Sequence, residues 1–548
     1  MNQTITKQTI LQQIAAIPAM ERGKLSAYDF KNRSGAKGPY YKLQHWSGGK
    51  NHTRYVSAEE LPALQAAVAG FEQYEHLTGQ YADLVVQETR RAGAGFKKKE
   101  IPILIRLAQD EEIQRVMAVF QSQLPCGTAV AELEVVVRAL LFKSASALIG
   151  ELLQQAADRI DAAYQPKPGQ ARKGRETIRT QGIFGGSELS RDYYYDEGKK
   201  EGHYPADAAL GLEVGYTPAL AKLICLEGAD EQTYLKAERH LEQTGGITVS
   251  ARQIQRVVQR VGSDAQNWQE RPAQPTVCDA PIMYVSADGT GVPMVPEELA
   301  GRAGKQADGT AKTRQVYLGC VFTQHKVDEK GHPIRDWEST TYVSSFQSID
   351  EFGPCLRQEA MRRGLGSVGQ VVLLVDGAAG LRTMGEVNFK DSVQIVDFYH
   401  AMEHAGKVLE ALIGKNHPDY KKRQRRWAKR LLKNKVEALI EQARQECAGL
   451  PQAQAVEEAL GYFVRNVNRM QYGTFRAAGY FIGSGVVEAG CKTVIGGRCK
   501  QSGMFWSKEG AQNILALRCI HSSRRLAQFW KYRLNNHAAR NDCLPLAA

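Results

Sequence analysis

Nowhere does this sequence string together the roughly 18–20 apolar residues that crossing a bilayer requires, and Met1 to Ile17 lack the basic-then-apolar plan of a secretory leader. Neither a membrane span nor export is therefore expected, and the chain reads as cytoplasmic. Paired cysteines are missing as well. The ten cysteines (126, 225, 278, 320, 355, 447, 491, 499, 519 and 543) include no C-x-x-C, so a zinc ribbon has no support and reduced thiols are expected. Gly364, Gly366 and Gly369 match G-x-G-x-x-G, but they precede a strand; dinucleotide binding needs that loop to open a helix. Acidic surplus is absent too: 71 Lys and Arg stand against 59 Asp and Glu, a formal charge of +12. That balance favours a polyanionic partner, because neutralised phosphates release counterions, although many basic proteins bind no nucleic acid; with DNA as the partner the chain would be nucleoid-associated.

What is present is too long for one core: 548 residues imply several domains. Composition and hydrophobic period divide the chain into 1–95, a small β hairpin and helix; 96–165, helical; 166–270, basic and then helical; 271–400, strand-rich; 401–480, helical; and 481–548, a glycine-punctuated C-terminal part. In the first, Gly38 to Trp46 alternates, Ser47-Gly48-Gly49 turns the chain and Thr53 to Val56 returns it. Lys37, Lys42, Lys50 and Arg54 interleave with aromatics there, which fits a DNA backbone and equally a half-buried hairpin with solvated lysines. Ser57 and Glu60 form a capping box for the helix that follows, and the helical pattern continues in pieces to Asp158. Residues 165–206 read as a linker and a short strand-rich segment. Three helices follow within 218–262: Pro218 to Glu227, Asp230 to Gln243, and one capped by Ser250. The last buries Ile254, Val257, Val258 and Val261, leaving Arg252, Gln253, Gln255, Arg256 and Arg260 outside. Arg and Gln near a helix N-terminus suit base edges, so this is a candidate helix-turn-helix; a plain three-helix bundle has the same geometry.

From Pro281 the period changes to strands, in the order β-β-β-α-β-α-β up to Val396. Asp288 ends the run Ile282 to Ala287, and Asp376 ends the continuous apolar run Val371 to Val375, which is therefore buried on both faces. Carboxylates at the ends of adjacent strands can share divalent ions of the kind that drive phosphoryl transfer, and Mg²⁺ (or Mn²⁺) suits oxygen donors. A third acid, Glu488, lies in a glycine-flexible entry to a helix, with Lys492, Arg498 and Lys500 after it to hold phosphates. The candidate metal ligands are thus Asp288, Asp376 and Glu488.

The blocks Ser286–Gly291, Leu374–Gly377, Asp397–His400 and Ser484–Glu488, the last continuing through Lys500–Ser507, make the chain from about 173 to 530 resemble DDE transposases of bacterial insertion sequences, in the ISKra-type, Mutator-like group. The resemblance implies an α/β, ribonuclease-H-like catalytic domain with a helical insertion, behind mainly helical DNA-binding domains. It implies Asp288, Asp376 and Glu488 as catalytic metal ligands and Asp397 and His400 as supporting residues. It also implies terminal inverted repeats and target DNA as partners, and a homodimer or larger assembly on DNA. Relatives of this kind carry paired cysteines ahead of the helix-turn-helix; here Tyr193 to His203 has none.

Two further motifs have bland readings. His400, Glu403 and His404 fit H-x-x-E-H, but no separate third zinc ligand is evident. Lys421, Lys422, Arg423, Arg425, Arg426 and Lys429 make a basic helix around Trp427, Leu431 and Leu432; such runs are usually solvated, and in a DNA-processing enzyme they contact phosphates. A non-catalytic DNA-binding regulator and a ribonuclease-H-like nuclease are the alternatives to a transposase.

Overall fold

The change of hydrophobic period at Pro281 marks the start of the sheet that organises most of the molecule in the computed structural model, which describes residues 7–28, 39–47, 50–91, 114–115, 127–274, 276–304, 306 and 309–540. Two compact units are present, Met1–Ala129 and Val130–Ala548. The expected boundaries after 165, 270, 400 and 480 all fall inside the second. Lys37, Gly38, the Gly48-Gly49 turn and most of 96–126 lie outside the described residues.

In the first unit, β1 (Lys24–Tyr28), β2 (Tyr40–Ser47) and β3 (Lys50–Val56) form an antiparallel sheet in that order, with helices α1 (Lys7–Ala15) and α2 (Leu61–Arg91). Leu43 packs on Leu64 and Val68 of α2. Ser57 Oγ accepts from Glu60 N at 3.3 Å, one half of the expected capping box, while the Glu60 carboxylate pairs with Arg54 at 3.4 Å. Strand β1 starts two residues before the β element read from the sequence at 26–56, within which only the two strands of the hairpin were singled out.

The second unit opens with α3 (Gly127–Ala163) and the ribbon β4 (Gln170–Gly182) and β5 (Gly185–Asp196), edged by β6 (Glu201–His203). The ribbon is longer than the short strand-rich segment read from the sequence, with β4 and β5 paired from Gln170–Asp196 to Gly182–Gly185 where a linker was expected. After α4 (Pro205–Ala209) come α5 (Pro218–Asp230), α6 (Tyr234–His240) and α7 (Ala251–Glu270). Ser250 caps α7, accepting from Gln253 N at 3.4 Å.

The central sheet runs β11-β8-β7-β12-β13. Strand β7 (Ile282–Pro293) pairs antiparallel with β8 (Thr313–Gln324), and β11 (Thr341–Ser345) flanks β8. On the other side β12 (Gln370–Val375) and β13 (Val393–Val396) run parallel to β7. A short ribbon, β9 (Lys326–Val327) and β10 (Pro333–Ile334), extends β8. One face of the sheet buries Met283, Val285, Ala287, Leu373 and Val375 under Phe352 and Leu356 of α8 (Ile349–Arg362) and Leu381 and Met384 of α9 (Ala379–Asn388). The opposite face, carrying Tyr284, Val372 and Leu374, joins a larger core. Each such buried side chain contributes about 1.5–3 kcal/mol.

Between β13 and residue 485 lie α10 (Phe398–Ile413), α11 (Tyr420–Leu431), α12 (Val436–Cys447), α13 (Ala453–Asn466) and α14 (Tyr472–Ala477). Then α15 (Gly485–Gly490) continues through a π turn, Cys491–Gly496, into Gly497–Cys499, followed by α16 (Lys508–Ser522) and α17 (Leu526–Arg540). Helix α16 is buried from Ala511 to Ile520, the mark of a central helix. Helix α7 lies on it so closely that a Cβ on Gly262 would sit 2.6 Å from the Asn513 carbonyl oxygen. Ile254, Val257, Val258 and Val261 thus belong to the same core as the sheet, so the three-helix unit is continuous with the α/β body. Among the described residues no helix is long and apolar enough to cross a membrane.

Candidate active site

Side chains alternate across a strand, so Tyr284, Ser286 and Asp288 share one face of β7. The parallel register pairs Ser286 with Leu374 and Ala287 with Val375. Asp376 follows immediately past the end of β12, near enough for its charge to act on the Asp288 carboxyl. The expected strand end at Asp288 is corrected by the structure: β7 runs on to Pro293, its partner β8 supplying the ladder through Thr313. Asp288 is therefore fixed mid-strand, whereas Asp376 sits at the strand-to-helix turn, its Oδ1 accepting from Ala378 N at 2.8 Å. Gly377 is needed there, because the Tyr462 ring lies 2.4 Å from where its Cβ would be.

Burial raises the Asp288 carboxyl above its ordinary value, and the Asp376 charge adds to the effect. Gly289 N, which donates to Asp288 Oδ1 at 2.7 Å, and the neighbouring Cys491 thiol offset part of it.

A second knot forms around Asp397, a fully buried carboxylate at the N-cap of α10. It accepts from His400 N at 2.7 Å, from His400 Nδ1 at 3.2 Å and from Ser484 N at 2.5 Å. Burial alone would raise its pKa; the bonds from His400 and Ser484 outweigh this and hold it below the ordinary value. The same bond to Asp397 lifts His400 to about 9, so at neutral pH the ring is an imidazolium. Ser484 Oγ donates to Glu488 Oε1 at 2.7 Å, one helical turn on. Asp397, His400 and Glu488 thereby gather with their ligand atoms within 4.8 Å of one another. Among the described residues the other such set is Glu227, Glu231 and His240; Asp288, Asp376 and Glu488 do not form one.

The remaining candidate residues divide by exposure. Lys500 is exposed and its Nζ donates to Thr290 Oγ1, two residues along β7 from Asp288; Lys492 is also exposed. Arg498 is 1% exposed, its guanidinium 4.5 Å above the Tyr234 ring and 5.1 Å from that of Trp506, donating to the carbonyls of Gly228 and Gln232. It is therefore out of reach of a phosphate. On α7, Arg252, Gln255 and Arg256 are exposed, Gln253 is half-buried, and exposed Arg260 pairs with buried Glu213 at 2.8 Å. On α11, Lys421, Lys422, Arg425, Arg426 and Lys429 face solvent while Trp427 and Leu431 are buried; Arg423 pairs with Glu446.

His404 does not join His400 in a ligand set: its ring stacks on Tyr462 at 3.6 Å and 2°, and burial pushes its pKa to about 4. Gly364, at φ +90°, ends α8, which accounts for that part of the glycine-rich run. Ser484 and Cys491 were given no role in the sequence reading, and Tyr462 and Arg465 went unremarked. The i, i+4 spacing of Ser484 and Glu488 could have revealed the first; Tyr462 and Arg465 leave no sequence signal near Asp376.

No family model matches this chain. No curated protein matches it. Among solved structures, a Drosophila P element transposase strand transfer complex is similar over 58% of this chain and 80% of that chain, at 13% identity and a TM-score of 0.20. A likeness of that size carries no argument about this chain.

Proposed function

We propose that this chain is a DNA transposase of the DDE type, with a ribonuclease-H-like catalytic domain, cutting DNA at terminal inverted repeats and joining the ends to target DNA. The observation that supports this most is that Asp376 leaves β12 directly after the Ala287–Val375 pair, within electrostatic reach of Asp288 on β7, with Glu488 brought to the Asp397–His400 knot. The ISKra-type affiliation, the helix-turn-helix role of α7, assembly as a dimer or more on DNA and association with the nucleoid belong to the same reading.

The donor set fits a hard divalent cation. Asp288 is a half-buried carboxylate raised by burial and by its like-charged neighbour, with no Lys or Arg ion pair among the described residues, so a cation beside it relieves an existing repulsion. Asp288 and Asp376 would hold Mg²⁺ or Mn²⁺, with Glu488 as the third acid. When bound, such an ion supplies activation of the nucleophile and neutralisation of oxyanion charge. The protein's own groups position the rest. Ser484 fixes the Glu488 carboxylate. The His400 imidazolium keeps a proton on Nδ1 toward Asp397 and adds positive charge beside Asp376, where a phosphate is attracted. Lys500 stands at Thr290 on the same strand as Asp288. The exposed basic residues of α7 and α11 lie on surfaces suited to phosphate backbones.

The test is a strand-transfer assay with the purified full chain, Mg²⁺ or Mn²⁺, and labelled DNA bearing the ends of its own element. Products joined to target DNA, absent with Asp376→Ala, are expected. Tight binding of the ends with no cleavage in either metal would make the chain a regulator, and cleavage without joining a nuclease.

A further inference from the structure

A cavity of about 270 Å³ opens beside Asp376, walled by the first turn of α9, by His400 and His404 of α10 and by α13 of the helical insertion. Its chemistry is that of an anion site. Arg382 of α9 and Arg465 of α13 both line it. Arg469 stands close by, 8% exposed, with Nε and Nη2 lacking any hydrogen-bond partner. Helix α9 starts at Ala379; the N–H of its N-cap, Ala378, is given to Asp376 Oδ1 at 2.8 Å, and no side chain caps the first-turn N–H groups that follow. Tyr462, 8% exposed, also lines the cavity, and its Oη has no hydrogen-bond partner. Two carboxylates are near: Asp376 at the cavity itself, and Glu386, 3.6 Å from Arg382 Nε. Arg465 has no ion pair among the described residues.

We infer that this cavity is a phosphate-binding subsite, and that it takes the phosphodiester group neighbouring the one that reacts at Asp288 and Asp376. Two guanidinium groups, a helix N-terminus and an unpaired phenol converge on a space too small for a whole nucleotide, since sites that bury drug-sized ligands run to about 300–1,000 Å³. A phosphate fits, and its sugar and base remain outside. A DNA strand supplies such a group already tethered at the required distance from the reacting one. The assignment of a DNA strand rests on the function proposed above; the phosphate chemistry does not. It gives the insertion a task beyond packing: Arg465 and Tyr462 reach the catalytic strand from outside the sheet and hold the strand that Asp376 addresses.

The experiment compares the full chain with R382A/R465A and with Arg465→Lys, using a fluorescent single-stranded oligonucleotide over a range of salt without divalent metal, and inorganic pyrophosphate in a thermal-shift assay. Loss of one phosphate contact lowers the slope of log K against log salt by about 0.7 for a single strand. A drop of that size in R382A/R465A, with the slope kept by Arg465→Lys and ligand-free melting unchanged, is the expected result. An unchanged slope with oligonucleotide still bound would overturn the subsite and leave the DNA reading intact. No oligonucleotide binding, with a pyrophosphate-dependent shift that R382A/R465A abolishes, would keep the phosphate site, transfer it to free phosphate esters and remove the DNA reading. Absence of both oligonucleotide binding and a pyrophosphate-dependent shift would overturn the proposal.

Discussion

Replacing Asp288 by Asn separates what this residue does for the fold from what it does for the reaction. In the native protein its carboxyl is pushed up by burial and by the charge of Asp376, so the ionised form is a standing destabilisation. Asn keeps the acceptor for Gly289 N, removes the charge, and brings an amide that can donate to Asp376. Relief of such functional strain typically amounts to about 1 kcal/mol. For a cooperative unit larger than 250 residues this corresponds to roughly 1–2 °C in Tm. The pH dependence has a definite sign. A carboxyl whose folded pKa lies above the ordinary 3.8 contributes stability that is complete below that value and lost as pH rises through the folded pKa. The advantage of the variant is therefore full at neutral pH and shrinks toward pH 3.8. Mg²⁺ should erase it: an ion at ten times its Kd stabilises the parent by about 1.4 kcal/mol, and the variant by much less. The assay is a thermal melt of both proteins across pH, with and without Mg²⁺, alongside cleavage of end DNA. Retained cleavage, or an equal Mg²⁺ shift in the two proteins, would refute the reasoning.

Other substitutions probe the remaining parts. Arg498→Met empties a guanidinium site made of two rings and two carbonyls; a loss of about 2–4 kcal/mol in denaturant unfolding is expected with DNA affinity intact, and normal stability with weakened DNA binding would contradict it. Ser484→Ala frees the Glu488 carboxylate while Ser484 N still reaches Asp397, so single-turnover cleavage should fall about 10–100-fold with the fold preserved; an unchanged rate would show that Glu488 needs no such anchor. In the β4–β5 ribbon, Arg172 holds Asp192 by Nε at 2.6 Å and Nη2 at 2.8 Å and, against the effect of burial, lowers its pKa. That contribution is present above the ordinary 3.8 and is lost as pH falls through the lowered value. Hydrogen-exchange protection of the ribbon should then fade with acid in the native chain, and Asp192→Asn should flatten the dependence; parallel curves would argue against it.

The order of strands and helices from Ile282 to Val396 was legible because each change of hydrophobic period is local. So was the cap at Ser250, where a hydroxyl precedes an apolar face. What was not legible depended on partners distant in sequence. The amphipathic face of α7 announces burial but not its partner, and Gly262 reveals that partner only once Asn513 is laid against it. Arg498 reads as a surface cation because its two rings come from positions 234 and 506. The end of the β7 run at Asp288 misled for a related reason: Asp-Gly marks a turn in most sequences, yet here the β8 ladder carries the strand through it. The acids themselves were visible as residue types at strand ends and a helix start. Their grouping was not, since Glu488 is drawn to Asp397 and His400 through Ser484.

That grouping bears on how the helical segment between β13 and α15 can be set into the α/β body without disturbing it. Asp397 leaves β13, starts α10 and binds the backbone of Ser484, so both ends of the helical insertion are tied to one buried carboxylate. A buried acid with no partner would be costly, and here two backbone N–H groups and an imidazolium satisfy it. The distance between the sheet and Glu488 is thus set by Asp397 and not by the length of chain from α10 to α14. Changes within α11 or α12 should leave the acids in place, whereas Asp397→Ala should release Glu488 and His400 together. Because one side chain holds both, losses from Ser484→Ala and His400→Ala should each be smaller than the loss from Asp397→Ala, and their combination should approach it without adding.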